Sequence, residues 1–563
     1  SGHALWRLLI LPAFCVVAGL LLVSQLKSPA NLYDEGLVLV NAERIRAGEV
    51  PYRDFWTLYA PGYFYALAAL FSVVEPTILA ARWFDIVLRG GLVIAAYGLA
   101  RGMTGRWVAL IPAAFICYWL ATIRFYSYPA FPATGAILLT ALVLARYLQV
   151  RRERWLFGAG LALGLTALLR LDFGGYAAVG FAAAVVLDAW RVAAEARRAR
   201  PDPLLRAQRD IHERRGLSLG SSLATASESL KPAARAVTLL AGGALLMALP
   251  LYAYLVAVAG PATVFDDLVR FPATVFREVR RLPVPPLIPD FSRITGAQWN
   301  DWLRLYLPLT VYAAALAVAA RRLVIEPLPS NDRRYRTLLV CLALTAAGLG
   351  LVVKATSRYH ELHALPTAIC AAIVATGLLY QIPARLWRSL PFRVGAGGLA
   401  LLLLSGPYVV HFAVLAARNA TSPLGCYSNL PRASCAPIGA DQARVAEYIQ
   451  AHAAAGEYVF FGNARHDLIF VNDLMVIFLA DRPSPTKYTE LHPGLATTLP
   501  VQQEIVRELT AKNVQWVVTM RGWESREPNA SAISSGVTVL DDFIRAHYRV
   551  DATFGPYQVW RKL

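Results

Sequence analysis

Long apolar blocks separated by short polar breaks fill the first three-quarters of the chain, and a mixed pattern fills the rest. About eleven blocks approach the roughly 20 residues a bilayer crossing needs. They lie near 5–25, 79–100, 107–122, 131–149, 156–171, 173–190, 236–259, 303–320, 337–354, 366–380 and 396–416. "PGYFYALAALFSVV" (61–74) is too short to span and reads as interfacial or re-entrant. In 260–302, apolar residues at helical spacing alternate with Arg270, Arg277, Arg280 and Arg281, which predicts helices lying in the interface plane. After residue 416 the pattern changes. "QARVAEYIQAHAAA" and "VQQEIVRELTAK" predict helices, whereas "YVFFG", "VQWVVTM" and "YQVW" predict strands. The expected organisation is a transmembrane domain over 1–416 and a soluble α/β domain over 417–563.

Composition supports a polytopic α-helical membrane protein. The 563 residues are 57% hydrophobic and 16% charged, against about half and a quarter in ordinary soluble domains. The net charge of +18 would suggest nucleic acid in a soluble chain, but here the basic residues flank apolar blocks. That is the positive-inside pattern, so nucleic acid is excluded as a partner. "RGMTGR" (101–106), "RRER" (151–154), the loop 191–235, "RRLVIEPLPSNDRRYR" (321–336) and "PARLWR" (383–388) fall on one side. This side is read as cytoplasmic, with the N-terminus inside and the tail outside, as in a bacterial-type inner membrane. Cys426 and Cys435 in "CYSNLPRASC" then sit in an oxidising compartment, where a disulfide is expected. No nearby His or Cys completes a zinc site.

The outer segments carry the candidate chemistry. "NLYDEGLVLV" places Asp34 and Glu35 directly after the first block. Taken alone, this is a solvated collar whose acids favour a helix start. Other outer segments change that reading. Arg82, Asp85 and Arg89, then Arg170 and Asp172, then Lys354, Arg358, His360, Glu361 and His363 all crowd the outer ends of apolar blocks. Charges at a bilayer edge are costly unless they converge on a cavity or on each other. A cavity with several cations, few carboxylates and access to lipid suits sugar transfer from a polyprenyl-phosphate donor. Phosphate leaves without a general acid, one carboxylate takes the acceptor's proton, and cations or a metal hold the phosphate.

"DEG" after the first span, a following helix and then "GEVPYRDFWTLYAPG" resemble the first outer loop of the GT-C glycosyltransferases. The family-39 branch, with protein O-mannosyltransferases and lipid A aminoarabinose transferase, is the most similar. The resemblance continues in the span count, "RLD" at 170–172, "RYHELHALP" and the appended outer domain. It implies a GT-C fold and an inverting transfer to an extracytoplasmic glycan, lipid or protein. By the same resemblance Asp34 is the catalytic base. Glu35 is its neighbour, orienting the acceptor or binding a metal, and Asp54 in "YRDF" is the next acidic candidate.

One departure matters. The aminoarabinose branch has a Glu-Lys pair before a proline that binds metal and donor phosphate, whereas here Leu58, Tyr59 and Ala60 precede Pro61. The phosphate then falls to Arg53, Arg170, Lys354 or Arg358, with Arg358 favoured. His360 and His363, three apart, could share a helix face and hold a divalent metal with Glu35, or serve as polar anchors or substrate contacts. In the tail, His466, Asp467, Lys487 and Tyr488 either meet an acceptor or are loop chemistry. The rival functions are a polymerase or ligase of lipid-linked glycans, a transporter, and a non-catalytic scaffold.

Overall fold

The computed structural model describes residues 2–24, 26–123, 126–199, 218–290, 292–382, 426–427 and 429–563. The apolar block 396–416, the connection 383–388 and the expected domain boundary after 416 lie outside these residues, as does the middle of the loop 191–235.

The first half contains α1 (Gly2–Val23), α2 (Asp34–Arg46), α3 (Gly62–Phe71), α4 (Ile78–Thr104), α5 (Leu110–Thr122) and α6 (Ala130–Val150). It continues with α7 (Glu153–Leu169), α8 (Leu171–Ala199) and α9 (Ser218–Ala259). Residues 261–280 form the expected helical run, as α10 (Pro261–Phe265), a π-helical turn at Asp266–Arg270, α11 (Phe271–Ala273) and α12 (Val275–Arg280). Then come α13 (Gly296–Ala320), α14 (Arg333–Ser357) and α15 (Glu361–Gln381). Among the described residues six helices are long and apolar enough to cross a membrane: α6, α8, α9, α13, α14 and α15. The chain is an integral membrane protein. Of the five expected spans beyond these six, 396–416 lies outside the described residues and 5–25 only partly within them. The helices α5 and α7 are short, and α4 carries Arg82, Asp85 and Arg89 near one end.

Small residues set the tightest helix contact. A Cβ on Gly160 or Gly164 of α7 would stand 2.2 or 2.4 Å from the carbonyl oxygens of Leu240 or Ala244 in α9. Only a glycine pair at this four-residue spacing lets the two backbones approach so closely.

The tail forms a four-stranded sheet of order β1-β2-β4-β3. Its elements are α16 (Ala440–His452), β1 (Val459–Asn463), α17 (Leu474–Ala480), α18 (Leu499–Ala511), β2 (Trp516–Met520), α19 (Val539–His547), β3 (Tyr548–Phe554) and β4 (Tyr557–Lys562). β1 and β2 are parallel and wholly buried, whereas β4 pairs antiparallel with β2 and β3. The predicted helices and strands are all present.

The tail sits directly on the segment that follows α1. α17 lies on α2, where a Cβ on Gly36 would meet the Met475 nitrogen at 2.4 Å. Met475 N–H donates to the Leu32 carbonyl (2.8 Å), and Trp56 N–H donates to that of Lys487 (3.0 Å). Cys426 and Cys435 are disulfide-bonded. Within that loop the Arg432 carbonyl accepts from Ile78 N–H at the start of α4 (2.9 Å), and its guanidinium pairs with Glu43 of α2 (2.7 Å).

Candidate active site

The start of α2 decides what Asp34 is free to do. Asn31 Oδ1 accepts from the Tyr33 and Asp34 N–H groups (3.0 and 2.7 Å), and Glu35 reaches back to Asn31 N–H (3.0 Å). Helix starts need acceptors for their exposed N–H groups. Because Asn31 supplies one for Tyr33 and Asp34, the Asp34 carboxylate is not consumed as a cap. Among the described residues no side chain forms an ion pair with it.

Glu35, expected to orient the acceptor or bind a metal, is paired with a buried arginine. It is 1% exposed and accepts from Arg82 Nε and Nη2 at 2.7 and 3.0 Å. Arg82, fully buried, also donates to the Leu26 and Ser28 carbonyls (2.6 and 2.8 Å) and stacks on Tyr126. Both oxygens of Glu35 are thus occupied, and the bridge pins α4 to the segment entering α2. Asp85 and Arg89 form a second buried pair at 2.7 Å.

Asp34 itself is half-buried. Burial raises its pKa, Arg280 and Arg358 pull it down, and Glu490 raises it, leaving it at about 6. Its two cations are held by the tail. Arg358 donates to both oxygens of Glu527 (2.8 and 2.5 Å) and to the Arg280 carbonyl (2.9 Å). Arg280, at the end of α12, is buried, lies 3.4 Å from the same glutamate and donates to the Phe470 carbonyl (2.5 Å). Burial and then Arg358 lower its pKa to about 10. Two guanidinium groups sharing one carboxylate leave a net positive charge in Asp34's field.

A second tail segment closes the other flank. Tyr33 Oη lies 2.5 Å from His492 Nε2, and burial followed by Arg280 and Arg358 pushes His492 well below the usual histidine range, so it is neutral. Glu490, fully buried, accepts from Asn41 Nδ2 (3.0 Å), and burial raises it to about 7.

The remaining expected residues divide. Arg170 forms a bidentate pair with Asp172 (3.0 and 2.7 Å) and lies over the Tyr59 and Phe173 rings. Lys354 lies in their field, and His363 Nδ1 meets Tyr128 Oη at 3.2 Å. Tyr59 and Tyr128 feel both Asp34 and Arg170, so this cluster adjoins Asp34. Arg53 and Asp54 stand apart. The Asp54 carboxylate takes Val50 N–H (2.7 Å) and pairs with the half-exposed Arg53 (2.6 Å), whose hydrogen bond holds it below the usual carboxylate range. It forms a turn, and its low basicity suits that task. His360 and His363 do not share a helix face. His360 has extended backbone and caps α15, accepting from Leu362 N–H (3.3 Å). Among the described residues no three His, Cys, Asp or Glu side chains converge as a metal site.

Sequence reasoning missed Glu527, Glu490 and His492, and did not single out Arg280 from its neighbours. One signal was present for the pair: "TELHPG" sets an acid and a histidine two apart. The tail residues read as either acceptor contacts or loop chemistry have partners within the tail. His466 is buried against Asp541 (2.6 Å), Asp467 pairs with Arg465 (2.6 Å), and Tyr488 donates to Glu504 (2.8 Å). Lys487 meets Trp56 through its backbone carbonyl.

No family profile matches the chain, and no curated protein sequence does. Solved structures do. ArnT from Cupriavidus metallidurans in the apo state aligns with a TM-score of 0.54 at 13% identity, covering 100% of this chain and 99% of that one. The same protein bound to undecaprenyl phosphate gives 0.51 at 13% identity, covering 99% and 98%. The Archaeoglobus fulgidus oligosaccharyltransferase tethered with an acceptor peptide gives 0.49 at 13% identity, covering 96% and 72%. The end-to-end likeness to ArnT shows a shared fold, tail included.

Proposed function

We propose, on this GT-C fold, that the protein is an inverting glycosyltransferase moving a sugar from a polyprenyl-phosphate donor to an extracytoplasmic hydroxyl-bearing acceptor. The observation that carries the reading is Asp34: one half-buried, unpaired carboxylate in the field of two arginines. In the reaction the acceptor oxygen attacks the anomeric carbon opposite the phosphate. A new C–O bond forms, the bond to the phosphate oxygen breaks, and the hydroxyl proton passes to Asp34. A single displacement inverts the configuration. A pKa near 6 leaves Asp34 ionised at neutral pH yet more basic than an exposed aspartate, as a general base requires.

The charge growing on the phosphate oxygen is met by Arg358 and Arg280, which exchange part of their hold on Glu527 for the donor. Arginine's planar fork suits phosphate. Arg170 and Lys354 form a second cationic group toward the sugar, with Asp172, Tyr128 and His363 as its polar partners. Exposed Phe265 and Val269 on the helical run 261–280 offer the lipid chain a surface. The buried pairing of Arg82 with Glu35 and of Arg89 with Asp85 weighs against a transporter, which needs its intramembrane charges free to engage cargo.

The test is transfer from a panel of polyprenyl-phosphate sugars by the purified full-length chain, with Arg358→Gln and Arg280→Gln alongside. Loss of one such charged donor is expected to lower kcat/KM about 10²–10³-fold. Turnover unchanged in both variants would remove the arginines from the phosphate site, and no turnover with any donor would overturn the reading.

A further inference from the structure

We propose that the opposite end of the bundle holds a binding site for an anionic phospholipid, independent of the reaction proposed above. A cavity of about 330 Å³ opens there between α4, α6 and α14. Its distance from Asp34's surroundings follows from the helices. On α4 it is lined by Gly98 to Met103, and Arg82 lies about 25–30 Å back along the axis at 1.5 Å per residue. On α14 it is lined by Arg333 to Val340, and Lys354 lies about 25 Å further on by the same rise. That separation matches the roughly 30 Å of a bilayer's hydrocarbon core. The cavity therefore sits at the other membrane face, which the arginine bias of the sequence marks as cytoplasmic.

Its walls are apolar, from Leu99, Leu142 and Val340, while its mouth carries Arg146, Arg333 and Arg336 and no acidic side chain. Arg333 is accounted for, donating to the Gly102 carbonyl at the end of α4 (2.8 Å). Arg146 has only a 3.5 Å contact with Gln149 and the Trp155 ring, and neither it nor Arg336 forms an ion pair among the described residues. An apolar slot with two uncompensated guanidinium groups at the headgroup level matches an acyl chain and its phosphate. Zwitterionic lipid fits less well, because its ammonium group would meet the same arginines. Basic pockets between helices at this depth recognise lipid phosphates in this way.

The test measures phosphatidylglycerol and phosphatidylcholine retained by the purified full-length chain after detergent exchange, by native mass spectrometry. Two surface arginines are worth about thirtyfold in affinity, so phosphatidylglycerol is expected to be retained over phosphatidylcholine by about that factor. The Arg146→Gln/Arg336→Gln double variant is expected to lose the preference and keep its melting temperature. Gly102→Leu tests the slot separately: a Cβ there meets open space, so the side chain occupies the cavity while Arg146 and Arg336 are kept, and retention falls. Equal retention of both lipids by the wild type would overturn the proposal, as would a preference that survives both variants. Displacement of the lipid by millimolar inorganic phosphate would indicate a bare anion site and overturn it too.

Discussion

Glu35 stands beside Asp34 in sequence yet is assigned a structural task, and a double-mutant cycle on Glu35 and Arg82 separates the two possibilities. Both side chains are essentially inaccessible, and four hydrogen bonds of 2.6–3.0 Å converge on the Arg82 guanidinium. Removing one partner strands a buried charge, which typically costs about 3–5 kcal/mol, whereas replacing both by apolar groups removes the stranded charge. Arg82→Met and Glu35→Met should each lower the melting temperature in detergent by several degrees. The Glu35→Met/Arg82→Met double variant should melt above at least one of the singles. Glu35→Gln keeps the shape and loses the charge, so any fall in transfer should track its fall in folded fraction. If Glu35→Gln melted like wild type while transfer dropped by orders of magnitude, Glu35 would belong to the reaction. Strictly additive losses in the cycle would equally refute the buried-pair argument.

Other consequences follow from the same geometry. Transfer should rise with pH through about 6 as Asp34 ionises. Arg358→Gln removes a cation that pulls Asp34 down, so the midpoint should move to higher pH, read from kcat/KM profiles. The stability sign runs oppositely: a carboxyl raised from 3.8 to about 6 favours folding fully below pH 3.8, and that benefit is lost as pH rises through 6. Asp34→Asn should therefore melt above wild type at pH 8, with the gap closing toward pH 4. Gly36→Ala forces a methyl into the α17 backbone; overpacking costs about 1–3 kcal/mol, so size-exclusion and melting should show a destabilised protein. Reducing Cys426–Cys435 should lower stability by about 2–4 kcal/mol, seen as a lower melting temperature, with transfer at room temperature retained.

What the sequence disclosed depended on range. Apolar blocks report local burial, so the helices near the predicted positions were legible, as were the fully apolar strands β1 and β2. β3 was not, because "YRVDATF" exposes most of its residues at the sheet edge. "LMVIFLA" is apolar on every side because α17 is buried all round, and periodicity cannot classify such a run. Asp34 could be found from its place after the first block, and Arg358 from its crowding at a block's end. Its partners could not. Glu527, Glu490 and His492 come from a tail more than 400 residues further on, and Arg280 is one of four similar arginines in its segment. Only the docking of the tail onto α2 brings them to Asp34. The same docking explains the third letter of "DEG": Asp34 lies in the field of the two arginines, Glu35 ties down Arg82, and Gly36 admits α17.

The central claim is that Asp34 takes the acceptor's proton, and its most direct test compares wild type with Asp34→Asn. Both would be assayed as matched, folded preparations with the best donor from the panel. The account predicts a fall in kcat of about 10²–10⁴-fold, the usual worth of a general base, with donor binding retained. Turnover that survives the substitution within a few-fold would contradict it.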